Sequence, residues 1–252
     1  MHIPKSHPRF LSLKTRDLIV NGIKDGITSM HGLIAHGRGE AYDYLIGEKT
    51  NDFALKSIEA ASALLLTSKN PVISVNGNTA ALVPRELSEL SNILNAPLEV
   101  NIFHSSKKRE IKIKNHLIEN GAKKVLIPDK KYEIKFLDSN RKYVNKNGIC
   151  MADVVLAALE DGDRTEALIK NKKKVIAVDL NPLSRTSQNA TITIVDNVTR
   201  AVPALTMNLI KLKKYGAWDL KTIIDSYKNK KNLNDSLECV KNTLGTKCEA
   251  CF

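Results

Sequence analysis

After residue 70 the chain alternates between two rhythms. Short runs of β-branched and apolar residues fall at 72–75, 98–103, 125–127, 153–156, 175–178 and 192–195. Amphipathic stretches lie between them near 84–95, 107–120, 161–171 and 199–213. Apolar strands that alternate with helices argue for a parallel sheet covered on both faces. Right-handed crossovers make that sheet Rossmann-like. The expected fold class is therefore α/β, a Rossmann-like parallel sheet with helices on both faces plus an N-terminal helical segment. The N-terminal segment, 1–70, is expected to pack on the core. Residues 71–213 form the nucleotide-binding core, and 214–252 a peripheral C-terminal extension rich in Lys and Asn.

Within 1–70, Phe10, Leu11, Leu18, Ile19 and Ile23 recur at near-helical spacing. Ser6 is placed to cap that helix with Pro8 in its first turn, and Gly26 ends it. A second helix is expected from about 52 to 68. Between them, His36-Gly37-Arg38-Gly39-Glu40 reads as a glycine-rich loop. Segment 128–148 is polar and reads as a hairpin insertion or a mobile loop.

The net charge of +12 is uneven. Residues 107–147 carry 13 basic against 5 acidic side chains, whereas 1–106 are balanced. Nucleic-acid binders gather Arg, Lys and stacking aromatics on one face. Here aromatics are only 5%, so the excess reads as lysine-rich solvated surface and no nucleic-acid partner is expected. No apolar run approaches the length of a membrane span, and the N-terminus lacks a signal-peptide core, so a cytoplasmic protein with no membrane partner is expected. Of the four cysteines, only Cys248 and Cys251 form a CxxC. With Cys239 they offer three ligands where structural zinc takes four, so no metal site is expected there.

In an open parallel sheet, ligands bind beyond the C-terminal ends of the strands. The first strand runs into Asn76-Gly77-Asn78-Thr79, a capped turn that enters a helix whose N-terminus suits an anion. The second ends at His104. The fourth leads into Glu160-Asp161-Gly162-Asp163-Arg164, an acidic turn open to two readings, helix-dipole capping or Mg²⁺. The fifth gives Asp179-Leu180-Asn181 followed by Arg185 and Thr186. There a carboxylate suits ribose hydroxyls, and Arg with Thr suits phosphate. The sixth leads to Asn197 and Val198. No Walker A, GxGxxG, GxSxG or HExxH sequence occurs.

Taken together these blocks resemble a known family. HGLIAHGRGEAYDYLIGEKT at 31–50 is similar to the N-terminal signature of the archaeal phosphopantothenate synthetases. VNGNTAALVP at 75–84, ADVVLAALEDGDRTEAL at 152–168 and VIAVDLNPLSRTSQNATITIVDNVTRAVP at 175–203 resemble its later blocks. The opening at 3–26 fits too. The resemblance covers about residues 3–210 and leaves out the tail.

It implies a homodimeric ligase of coenzyme A biosynthesis that joins 4-phosphopantoate to β-alanine at the expense of ATP with Mg²⁺, releasing AMP and diphosphate. Carried over by motif, ATP contacts fall on Arg16, Arg38, Asp179, Leu180, Asn181, Arg185, Thr186, Asn197 and Val198. Substrate candidates are Asn76, Asn78, His104, Asp163 and Arg164. One departure stands out: the family carries an Arg after the strand-end His, where this chain reads His104-Ser105-Ser106, with Lys107, Lys108 and Arg109 as possible substitutes. The general base is left unassigned. The alternatives are a non-catalytic nucleotide-binding regulatory module and a basic RNA-binding protein.

Overall fold

The computed structural model describes residues 4–7 and 9–249. Features that rest on Pro8 and on the Cys248/Cys251 pair lie outside the described residues. Three helices come first: α1 (Phe10–Lys24), α2 (Met30–Leu45) and α3 (Asp52–Thr67). The α/β layer follows with β1 (Pro71–Val75), α4 (Gly77–Leu82), α5 (Pro84–Leu94), β2 (Leu98–Val100), α6 (Lys107–Glu119) and β3 (Val125–Leu126). A hairpin, β4 (Asp129–Glu133) with β5 (Tyr143–Val144), interrupts it. The layer resumes with β6 (Val154–Ala158), α7 (Gly162–Lys170), β7 (Lys174–Val178), α8 (Arg185–Asn189), β8 (Ile192–Ile194) and α9 (Val198–Leu212). Helices α10 (Ala217–Ser226) and α11 (Asn229–Glu249) end the described chain.

The six-stranded sheet has the order β3-β2-β1-β6-β7-β8, and every neighbouring pair is parallel. This bears out the expected fold class. Alternation along the strands sends Ile73, Leu156, Ile176 and Val178 into the larger apolar core with α3, α5, α6 and α9. Val72, Val155, Val175 and Ala177 face a smaller core built from α7 and the hairpin, through Leu168, Ile134, Val144 and Ile149. Segment 128–148 is thus the hairpin alternative, and it covers one face of the sheet.

Two local expectations are corrected. Helix α1 starts at Phe10 with Arg9 at its N-cap and no side-chain cap, so Ser6 lies outside it. Residues 36–40 are not a loop but the interior of α2. None of its glycines has a positive φ. Gly32 serves close approach instead: a Cβ there would run into the Asn78 and Thr28 side chains, which bring the start of α4 against α2.

The hairpin is clamped to the sheet by Glu99, a fully buried carboxylate of β2. Its oxygens accept the Asn145 N–H at 2.9 Å and the Ile149 N–H at 2.6 Å. Burial pushes the Glu99 carboxyl up to about 7, against the pull of those two N–H groups. Gly148 leaves the carboxylate room, since a Cβ there would overlap Glu99 Oε2. Gly148→Ala is therefore expected to destabilise the fold by about 1–3 kcal/mol through overpacking. Urea unfolding checks it, and an unchanged midpoint would contradict it.

At the far edge, α10 and α11 pack back onto the layer. Leu220 joins Ala63 and Leu212, and Leu233 joins Phe53, Leu180 and Val195. Asn229 covers the β8 edge: its amide donates to the Ser187 and Ala190 carbonyls, and its carbonyl accepts the Thr193 N–H at 2.8 Å.

Candidate functional site

A cavity of about 370 Å³ opens where the strand order reverses, beyond the C-terminal ends of β1 and β6. That is where an open parallel sheet places a ligand. Its floor is the strand-end turns, and α2 forms a wall. Asn76 fixes the floor. It caps α4 by accepting the Thr79 N–H, and its amide donates to the carbonyls of Ala158 and Leu159 at 2.9 Å each. Asn78 ties α4 to the opposite wall by donating to the Gly32 carbonyl at 2.8 Å. Both side chains are thereby engaged within the protein.

Seven of the sequence-derived residues line this cavity: Asn76, Asn78, His104, Leu180, Asn197, Val198 and Arg38. Asn197 and Val198 begin α9, whose N-terminus therefore faces the cavity with backbone N–H groups and the positive end of a helix dipole. Asn197 also donates to Asp43 at 2.8 Å, and Arg200 bridges Asp43 and Asp196, so α2 and α9 are held in register.

Arg38 differs from the other cavity arginines. Among the described residues its guanidinium makes no hydrogen bond or ion pair, whereas Arg109 is held by the Ile27 and His104 carbonyls. Arg109 came up in the sequence only as a possible substitute for the family's missing Arg. In the structure it lines the cavity beside His104, whose ring packs at a tilt against His31 with centroids 4.9 Å apart.

The other sequence-derived residues sit elsewhere. Arg16 stands behind the α2 wall and binds Glu40 with its Nε at 3.0 and 2.9 Å. Asp179 lies under the β7 turn, accepting the Asn181 N–H at 2.9 Å and the Ser184 hydroxyl. Burial pushes its carboxyl up, opposed by those bonds. Asn181 accepts the Leu183 N–H and shapes the same turn. Arg185 is exposed and paired with Asp163 and Glu166 in a groove that adjoins the cavity and shares Phe103, Arg141 and Asp161 with it. Thr186 is buried and donates to the Glu160 carbonyl at 2.7 Å.

Arg164 is buried too, and it belongs to a charge cluster that sequence reasoning missed. Glu160 lies between the guanidiniums of Arg164 and Arg141. Arg141 reaches in from the hairpin side to bond Asn101 Oδ1 at 2.9 Å and Asp161 at 2.7 Å, and it lines the cavity. Its position in a polar stretch of unclear structure hid that role. Glu40 and His36 also line the cavity, and the misreading of α2 as a loop concealed them.

As for metal, no group of three or more His, Cys, Asp or Glu suited to an ion exists among the described residues. In the acidic turn Glu160, Asp161 and Asp163 are all ion-paired. Mg²⁺ commonly takes one or two carboxylates and completes its shell with phosphates and water. Asp161, more than half exposed at the cavity, fits such a site.

The family model described as phosphopantothenate/pantothenate synthetase matches residues 53–243. A 4-phosphopantoate–beta-alanine ligase of Thermococcus onnurineus is 49% identical over 96% of this chain and 93% of its own length. The ligase of that name from Methanosarcina mazei is 47% identical over 97% of this chain and 96% of its own length. That from Methanospirillum hungatei is 51% identical over 79% and 82%. The similarity does not stop near residue 210 as the quoted blocks had suggested: it runs through α10 and into α11.

Proposed function

The chain belongs to the phosphopantothenate/pantothenate synthetase family, and on that premise we propose that it condenses 4-phosphopantoate with β-alanine at the expense of ATP, releasing AMP and diphosphate. The observation that carries this reading in the geometry is the cavity at the strand-order reversal, where a helix N-terminus converges with Arg38, unpaired among the described residues. A carboxylate is a poor electrophile. Transfer of AMP to it creates a leaving group, and the amine of β-alanine then attacks the carbonyl. The site has to hold a triphosphate, a phosphomonoester and a carboxylate together, which needs preorganised donors and cations.

The residues divide by position. Leu180, Asn197 and Val198, with Arg38 on the α2 wall, suit the nucleotide. His104 and Arg109, on the β1 and β2 side, suit the phosphate of 4-phosphopantoate. Mg²⁺ bound through ATP phosphates and Asp161 would neutralise charge on the phosphates. Arg16 acts on the α2 wall through Glu40. A homodimer is part of the proposal. Met30 and Ile34, exposed one turn apart on α2, supply apolar surface that suits a partner. Small anionic substrates suit a cytosolic enzyme, and among the described residues no helix is long and apolar enough to cross a membrane.

Pyrophosphate release that requires both ATP and 4-phosphopantoate, with 4'-phosphopantothenate formed once β-alanine is added, tests the proposal. ATP binding without turnover would mark a non-catalytic nucleotide-binding module instead. Asp179→Asn is expected to raise the KM for ATP by about threefold to tenfold through one weakened hydrogen bond in the Leu180 turn. The KM for 4-phosphopantoate should be unmoved, and equal effects on both substrates would contradict that division.

A further inference from the structure

The α2 wall carries a group that none of the binding roles uses. The His36 imidazole forms part of the cavity surface, yet its side chain is only 8% exposed. Its Nε2 is sealed from solvent and has no hydrogen-bond partner among the described residues. The nearest carboxylate oxygen, Glu40 Oε1, is 4.0 Å away, too far for a hydrogen bond and near enough to favour a positive charge. Nε2 is thus turned toward Glu40, while the ring's other nitrogen, Nδ1, is not sealed and makes no hydrogen bond among the described residues, so it is the atom open to a reacting group in the cavity.

We propose that His36 is the general base of the amide-forming step, taking a proton from the β-alanine ammonium while Glu40 stabilises the resulting imidazolium. The inference rests on the ligase reading above. The protein favours the neutral ring that a base requires. Burial lowers the imidazole's proton affinity; Glu40 opposes this, Arg16 adds to it, and Asp43 opposes it. On the cavity side Arg38, Arg109 and Arg141 add positive charge, and Asp161 adds negative. Glu40 is itself fixed by Arg16 and by the Ser12 hydroxyl at 2.9 Å, so it is preorganised to face the imidazolium.

The step balances. The ammonium gives one proton to the imidazole, and the freed electron pair forms the C–N bond at the acyl carbonyl. The bond from that carbonyl carbon to the AMP oxygen breaks, with its electron pair leaving on AMP. The second N–H proton departs with the AMP phosphate. Neither an oxidant nor a further co-reactant is needed.

The test separates the two half-reactions in the full-length protein. His36→Gln is expected to lower ligation with β-alanine by at least about 10²-fold, the usual contribution of a positioned base. The 4-phosphopantoate-dependent exchange of pyrophosphate into ATP should stay close to the unsubstituted rate, because adenylation needs no amine. Hydroxylamine, already neutral near pH 7, should react with the variant nearly as fast as with the unsubstituted protein. His36→Asn should give the same split. A parallel loss in all three assays would make His36 structural and overturn the assignment. So would unchanged ligation, or failure of both variants to fold. If the unsubstituted protein shows no exchange, the ligase reading itself falls, which is a different result.

Discussion

Glu160→Gln is expected to destabilise the fold by about 3–5 kcal/mol, the typical cost of removing one partner from a buried ion pair. The substitution keeps the shape of the side chain but leaves the buried Arg164 guanidinium facing a neutral amide, while Arg141 retains Asp161. Arg164 has little else to turn to. It bonds the Ser74 hydroxyl at 2.9 Å, and its Nε and Nη2 have no partner among the described residues. Native domains are stable by only about 5–15 kcal/mol, so most of the margin is at stake. Equilibrium unfolding in urea measures it, and a loss below about 1 kcal/mol would show that the two arginines are accommodated without the carboxylate.

The same carboxylate sets an acid limit. Burial alone would raise the Glu160 carboxyl, but Arg141 and Arg164 more than reverse this and hold it below the ordinary range. A depressed carboxylate contributes stability that is complete above its unfolded value and is lost as pH falls through the folded one. Glu160→Gln should therefore remove part of the acid sensitivity along with the stability.

Arg38→Ala is expected to lower substrate-dependent pyrophosphate release by about tenfold to a hundredfold, the equivalent of a charge-assisted hydrogen bond of roughly 1.5–3 kcal/mol. The stability change should stay within about 0.5 kcal/mol, because the side chain is exposed and makes no hydrogen bond or ion pair with the described residues. Near-normal release by the folded variant would remove Arg38 from the phosphate site. Loss of both release and stability would show that α2 depends on the side chain.

The six strands could be read from the sequence because each is a short β-branched run that is buried on both faces, and such runs carry their own signal. The strand-end rule then led to Asn76, His104, Leu180 and Asn197 without any knowledge of the contacts. It gives a residue's place and not its direction. Arg185 follows a strand end too, and in the structure it pairs with Asp163 and Glu166 in a groove adjoining the cavity. The glycines at 37 and 39 suggested a loop, whereas both lie inside a helix, and it is Gly32 that lets that helix lie against its neighbour. Arg141 was hidden for a third reason. Its partners Asn101 and Glu160 lie far off along the chain, and no local pattern reports such a pairing.

The neighbouring positions of β1 and β6 also bear on how the molecule assembles. Within each half of the sheet, pairings such as Ile73 with Leu98 close a single short crossover, but the central seam joins Pro71 to Val154. That loop is about three times longer, and closing it costs roughly 1 kcal/mol more in chain entropy. The two halves are thus expected to gain order early and to meet late. Because the cavity straddles the seam, neither half contains it. Recovery of ATP binding during refolding should accordingly trail the return of helical signal, and a nascent chain released before β6 would have no site to offer.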